Sequence, residues 1–469
     1  MSVAPRRFLA CMLAALWLAS VSYAHDTPTH IRVRLLEAVA PQALVVSAEA
    51  GIQFYAGNDP DHVLAELSPH EEATIRLRGD EVYVKTTHLS FFALSLQVRP
   101  RNHTPFRVEV TEGTAPPAQR HYTGSLMLAV DPAHSALMLI NHVPLEDYVA
   151  AVVAREYGFD DVEGAKAMAV LARTYALRTA GKYGDDYDQV DHLLSQQYDG
   201  TDRLTAAARE AVRLTQGEVL TYHDELIEAV YFSSSGGHTA NNEDVWLSEP
   251  LPYLRGRPDP YDGASPHARW RAVVPRDRLL RTLSRTYGFT VEGFYLGDRS
   301  PDGRVQTIEL LRTNLKTERI IRSNEFRLFI NRHFGKNTLK STLFDARRQG
   351  DDYIFEGSGY GHGVGLSQYG VLEMSKRGFS YREILDYYYT DVEIQHLAST
   401  SSEEPIQPQA RNTLDEEIRR EEPAPVVPVV TAEPEPIQKE TSKPQLQKQK
   451  PQPKKPQPKK KSSKRRVGW

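Results

Sequence analysis

The spacing of apolar residues changes at Pro144. From His30 to about Leu139, the runs IRVRL, EVYV, LSLQV, FRVEV and SLMLAV alternate apolar and polar positions at least in part, separated by Gly, Pro and Asn clusters. A period of two belongs to strands with one buried face. Past Pro144, which suits the first turn of a helix, LEDYVAAVVARE places Leu145, Tyr148, Val149, Val152 and Val153 at i, i+3, i+4, i+7 and i+8. That is the stripe of an amphipathic helix. The next member of the stripe is a carboxylate, Glu156. Either the helix ends there and Glu156 turns to water, or a charge is carried toward the core, where ionisation is penalised.

More helices follow: VEGAKAMAVLARTYALRTA, with Lys166, Val170, Arg173 and Leu177 along one side, and LTAAAREAVRLT, ending near Gly217. VLTYH and LIEAVYF read as strands. From Trp270 to about Ile354 the pattern is mixed, with helices in RLLRTLSRTYG and SNEFRLFINRHFG and strands in TIELL and RIIR. FSYREILDYYY is a helix whose Ser380 and Glu383 form a capping box. The fold class predicted is α+β: a helical core carrying Glu156, flanked by β-rich parts. A chain of 469 residues permits two or three modules.

The ends differ in kind. Residues 1–24 read as a secretory signal peptide: Arg6 and Arg7, an apolar run from Phe8 to Val21 that is short for a membrane span, then Ser22 and Ala24 before the cut. An uncleaved anchor is the alternative. The single cysteine, Cys11, lies inside this segment, so the mature chain has no disulfide, thiol nucleophile or thiolate metal site. Its fold rests on packing. From about residue 398 to 469 the chain is rich in Pro, Glu, Gln and Lys, and a disordered tail is expected. The tail ends in KKPQPKKKSSKRRVGW, so a net charge of -4 conceals an acidic body and a cationic tip. Outside the cytoplasm, such a tip meets an anionic wall polymer or membrane surface rather than nucleic acid.

Three loops stand out. YFSSSGGHT ends a strand in hydroxyls and accessible backbone, which is a turn or a site for a polyhydroxyl ligand. GSGYGHGVGLSQYG has glycine at every second position from Gly357 to Gly365. In an extended segment these would bare one side of the backbone, against which a sugar ring can lie. It lacks the spacing of a nucleotide loop. DYDQVDHLLSQQYDG contains Asp188, Asp191 and His192, at a spacing that fits no standard metal site. No G-x-S-x-G elbow or H-E-x-x-H pair occurs.

VPLEDYVAAVVAREYG, EGAKAMAVLARTYAL, SQQYDG, AVYFSSSGGHTANNEDVW, PYLRG, GYGHGVGLSQYG and FSYREILDYYYTDVEI, in order from about Arg120 to Ile394, resemble the SpoIID/LytB family. The resemblance assigns residues 120–397 to that domain and 25–119 to a separate β-rich region. It implies a lytic transglycosylase acting on the MurNAc–GlcNAc bonds of peptide-free peptidoglycan strands, with Glu156 as catalytic acid and 1,6-anhydro ends as products. The alternative it implies is a non-catalytic glycan-binding enhancer of an N-acetylmuramoyl-L-alanine amidase. Ser233, Ser235, His362 and Gln368 become candidate sugar contacts by transfer from the matching motifs, and Lys166 and Arg173 candidates for steering substrate or glutamate. Arg173 as a structural ion pair and His362 as a loop-fixing hydrogen bonder are the alternatives. Some members bind zinc through a His-Cys pair before the Gln-x-Tyr-x-Gly segment. Here Leu194 and Ser195 stand at those positions, so neither metal nor other cofactor is expected. The expected location is extracytoplasmic.

Overall fold

The computed structural model describes residues 28–397, apart from residues 58, 115–117, 132 and 247. The expected signal and tail lie outside the described residues. Among those described, no helix is long and apolar enough to cross a membrane.

The alternating segments pair into two sheets. The first has the order Gln189–Val190, His30–Leu35, Ala136–Pro144, Ser125–Asp131, Ser95–Pro100, Ile52–Ala56, Asp59–Leu67. The second runs Ala118–Tyr122, Phe106–Glu112, Ala43–Ala48, Glu72–Arg78, Glu81–Lys85, Ser90–Ala93. Ile31, Val33, Leu96 and Leu126 of the first join Leu44, Ile75, Val82 and Val84 of the second in one buried cluster. The expected boundary at residue 119 falls within Ala118–Tyr122, and strands from either side of it share the first sheet. Pairing is antiparallel except that Gln189–Val190 runs parallel to His30–Leu35. This short edge strand brings the following segment, Ser195 to Tyr198, against the helices.

Helix α1 (Leu145–Glu156) starts where the strand Ala136–Pro144 stops. α2 (Val162–Arg178) is capped by Asp161, which accepts from the Gly164 N–H at 2.6 Å. Its alanines 165, 167, 169, 172 and 176 are almost wholly buried, so neighbouring elements approach its backbone closely. α3 (Ala206–Leu214) is capped by Thr205. α4 (Asn242–Val245) is a single turn.

The mixed pattern read from Trp270 to Ile354 is a separately packed lobe. α5 (Arg276–Tyr287), α6 (Ser323–Phe334) and two three-stranded sheets enclose a core containing Phe294, Leu310, Phe326, Ile330 and Phe355. The chain then returns to the main body with α7 (Gln368–Lys376) and α8 (Tyr381–Tyr388), the latter opened by the expected Ser380–Glu383 capping box.

Candidate active site

Glu156 does not turn to water. It is 1% exposed at the end of α1, and the apolar stripe leading to it is buried throughout. Two segments enclose it. The backbone N–H of Gln197, delivered by the edge strand, donates to Oε1 at 2.9 Å. From the start of α7, Gln368 Nε2 donates to the Glu156 carbonyl at 2.9 Å, meeting one of the carbonyls a helix end leaves unpaired. Among the described residues Oε2 is buried without a hydrogen-bond partner, although the Gln197 side chain lies near enough to the carboxyl to favour its charged form. Burial raises the carboxyl pKa to about 7, against the lowering effects of the Gln197 N–H and the Arg155 charge. Arg155 is itself engaged by Asp199 at 2.7 Å. Desolvation therefore outweighs the partial compensation, and the group holds a transferable proton near neutral pH.

This shift has a stability consequence. Between the unfolded carboxyl pKa and about 7, the folded chain binds the Glu156 proton and the unfolded chain does not, so stability falls as pH rises through that window. Glu156→Gln removes the effect. The variant's advantage over the parent is expected to grow by about 3 kcal/mol from pH 4.5 to pH 8. Denaturant unfolding of both proteins at several pH values checks it, and a constant difference between them would contradict the assignment.

The hydroxyl loop and the glycine loop lie side by side. Tyr231–Phe232 runs parallel to Leu366–Ser367, and Ser234 pairs with Tyr360. The glycine loop is not the extended strand expected. Gly359, Gly361, Gly363 and Gly365 have φ of 77°, 109°, 90° and 78°, so the chain winds through left-handed conformations that glycine tolerates. Nor is its bare backbone open for a sugar. A Cβ on Gly365 would stand 2.1 Å from the Val230 carbonyl oxygen, and one on Gly363 would stand 2.5 Å from the Arg304 guanidinium. The missing side chains make room for the protein's own groups.

Ser233 and Gln368 gather near Glu156 through these loops. Ser233 is buried, its Oγ lacks a partner, and its carbonyl accepts from the N–H of Tyr369, next to Gln368. Ser235 is buried; its Oγ accepts from the Gly237 N–H and its carbonyl from Arg304. His362 fixes the loop: Nδ1 accepts from the Val364 N–H at 3.1 Å, and Nε2 donates to the Tyr231 carbonyl at 3.0 Å. Burial lowers its pKa to about 3, so the ring is neutral and both nitrogens are engaged by backbone. No polar atom of His362 remains for a sugar.

Arg173 and Lys166 are occupied elsewhere. Arg173 is fully buried, with Nε and Nη2 on the Glu146 carboxylate at 2.9 and 2.5 Å and Nη1 on the Glu218 carbonyl at 2.8 Å. That is the structural ion pair. Lys166 pairs with Glu163 at 2.5 Å and lies over the Tyr381 ring. The residues weighed for metal are likewise taken: Asp188 by Arg32, Asp191 by Arg120, His192 by Glu37. The Ser195 Oγ accepts from the Val190 N–H.

The spacing arguments missed the residues that lock the two loops together. Asp262 accepts from Ser234 Oγ at 2.7 Å, the Gly236 N–H at 2.8 Å and Ser367 Oγ at 3.1 Å. Arg304, from the inserted lobe, reaches the carbonyls of Ser235 and His238. Neither stands on a periodic stripe. The DPYDG run around Asp262 reads only as a turn.

The fold and site thus define a two-core α+β protein with a buried, proton-bearing carboxyl at a helix end, held by two interlocked loops. A sequence model described as stage II sporulation protein matches residues 133–222, and one for a domain of unknown function matches 261–365, a span that takes in the inserted lobe. The chain is similar to stage II sporulation protein D of Bacillus subtilis, 32% identical over 54% of this chain and 75% of the relative. For stage II sporulation protein D of Bacillus amyloliquefaciens the figures are 30%, 64% and 87%. It is also 28% identical to the amidase enhancer of B. subtilis, over 49% of this chain and 37% of that protein. The chain belongs to the SpoIID/LytB family.

Proposed function

We propose that this protein is an extracytoplasmic lytic transglycosylase that cuts the MurNAc–GlcNAc bonds of peptide-free peptidoglycan. The observation that carries the reading is the Glu156 carboxyl: desolvated, pKa about 7, one oxygen held by the Gln197 N–H and the other without a hydrogen-bond partner among the described residues. Protonated Glu156 gives its proton to the glycosidic oxygen as the bond to the muramic acid C1 breaks, and the GlcNAc 4-hydroxyl leaves. The muramic acid 6-hydroxyl then closes onto C1, and its proton passes to the Glu156 carboxylate. No water is consumed and the acid is regenerated. One carboxyl therefore suffices, unlike the paired carboxyls of most glycoside hydrolases. Because Oε2 is enclosed, a covering side chain must turn aside for substrate to reach it.

The same enclosure, with the similarity to an amidase enhancer, favours a second reading: a glycan-binding stimulator of a cell-wall amidase. Incubating the mature protein with peptide-free strands alone, and with intact wall plus an N-acetylmuramoyl-L-alanine amidase, separates the two. The enzyme makes anhydro-ended fragments in the first mixture. A stimulator leaves those strands whole and accelerates stem-peptide release in the second.

A further inference from the structure

The inserted lobe contributes a lysine to the border of the site. Lys340 Nζ lies 3.0 Å from His267 Nδ1 and 5.7 Å from the centre of the Tyr360 ring. Burial, then the lysine charge, lowers the His267 pKa to about 4, so the ring is neutral and its nitrogen accepts from the ammonium. An ammonium has three N–H donors, and one is used here. Lys340 is partly exposed, and among the described residues it forms no ion pair with a carboxylate. Two guanidiniums stand behind it, both buried. Arg304 is paired with Asp302 at 2.7 Å, whereas among the described residues Arg327 bonds only to Asn324 and the Lys340 carbonyl, and its Nη2 has no partner. Arg304 also lies in the field of the Asp262 carboxylate, so among the described residues Arg327 is the buried cation here without an ion-pair partner.

An aromatic row connects this corner to the end of α1. His267 meets Tyr369 edge-on at 5.7 Å, Tyr369 meets Phe159 at 5.4 Å, and Phe159 meets Tyr157 at 4.8 Å. Tyr157 adjoins Glu156, and Gln368, bonded to the Glu156 carbonyl, adjoins Tyr369. Phe159 and Tyr369 are partly exposed and present apolar ring surface on which the C–H face of a sugar can pack.

The geometry points to Lys340 as the group that recognises the free lactyl carboxylate of peptide-free muramic acid, on a glycan path that runs along Phe159 and Tyr369. This rests on the proposed function and gives the inserted lobe a role in it. A stem peptide converts that carboxylate into a neutral amide. A cation at this point therefore reads whether the peptide has been removed, by a charge-assisted hydrogen bond that the amide cannot make.

The test measures binding in a Glu156→Gln background, so that strands stay uncut. Peptide-free strands are compared with the same strands after conversion of their lactyl carboxylates to methylamides. The free acid is expected to bind about tenfold tighter, with a preference that shrinks in high salt. Adding Lys340→Met should bring the acid down to the level of the amide, and Lys340→Arg should retain the preference, with thermal unfolding unchanged in both. Equal binding of acid and amide at the outset, or a preference that survives Lys340→Met, overturns the inference. Hydrated rather than anhydro ends from the parent enzyme would overturn only the transglycosylase reading, and failure to bind either strand would overturn both.

Discussion

Glu156→Gln is expected to reduce the formation of anhydro ends by about 10²–10⁴-fold, the usual contribution of a general acid, which corresponds to roughly 3–5 kcal/mol of barrier. The amide keeps the shape of the side chain and can still accept from the Gln197 N–H, which donates to Oε1. It has no proton to give. Binding of peptide-free strands should stay near the parent value, and stability at neutral pH should rise because a buried ionisable group becomes neutral. If the variant cleaves at the parent rate, Glu156 has no part in the chemistry, and its burial reflects packing alone.

Arg173 is expected to matter for a different reason. Arg173→Ala should lower unfolding free energy by about 3–5 kcal/mol, as removal of one partner of a buried pair does. It takes away both bonds to Glu146, the bond to the Glu218 carbonyl and the packing of a side chain with no exposure. Glu146 keeps some contact with solvent, which places the loss toward the low end. Denaturant titration measures the loss. Below the unfolding transition the variant should bind glycan as the parent does. Undiminished stability with a large rise in Kd would make Arg173 a substrate residue instead.

The contrast between these two residues shows what periodicity conveys. The stripe from Leu145 announced the helix and flagged Glu156 as out of place, because a charge at an apolar position breaks a one-dimensional pattern. It did not say what would enclose that charge. Gln197 lies in the segment that follows a two-residue edge strand, Gln189–Val190, parallel to His30–Leu35, a pairing between segments more than 150 residues apart. Arg173 was visible on its helix face, yet its partner Glu146 belongs to another helix. The alternating glycines drew attention correctly to an unusual loop, but a period of two was misleading there. Positive φ at Gly359, Gly361, Gly363 and Gly365 replaces extended geometry, and the space is filled by Val230 and Arg304 rather than left for a ligand. His362 was a candidate sugar contact by transfer from the matching family motif, with a loop-fixing role as the alternative. Both its nitrogens hold the loops. Asp262, Arg304 and Lys340 lie on no stripe, and only the approach of the inserted lobe to the two loops gives them meaning.

The central claim is that the protein breaks glycosidic bonds without water, using one buried carboxyl. The direct measurement is digestion of peptide-free glycan strands in water enriched in heavy oxygen, followed by mass spectrometry of the new muramic acid ends. The account predicts 1,6-anhydro ends that carry no label, and their loss with Glu156→Gln. Labelled, hydrated ends, or strands left intact by the parent protein, would contradict it.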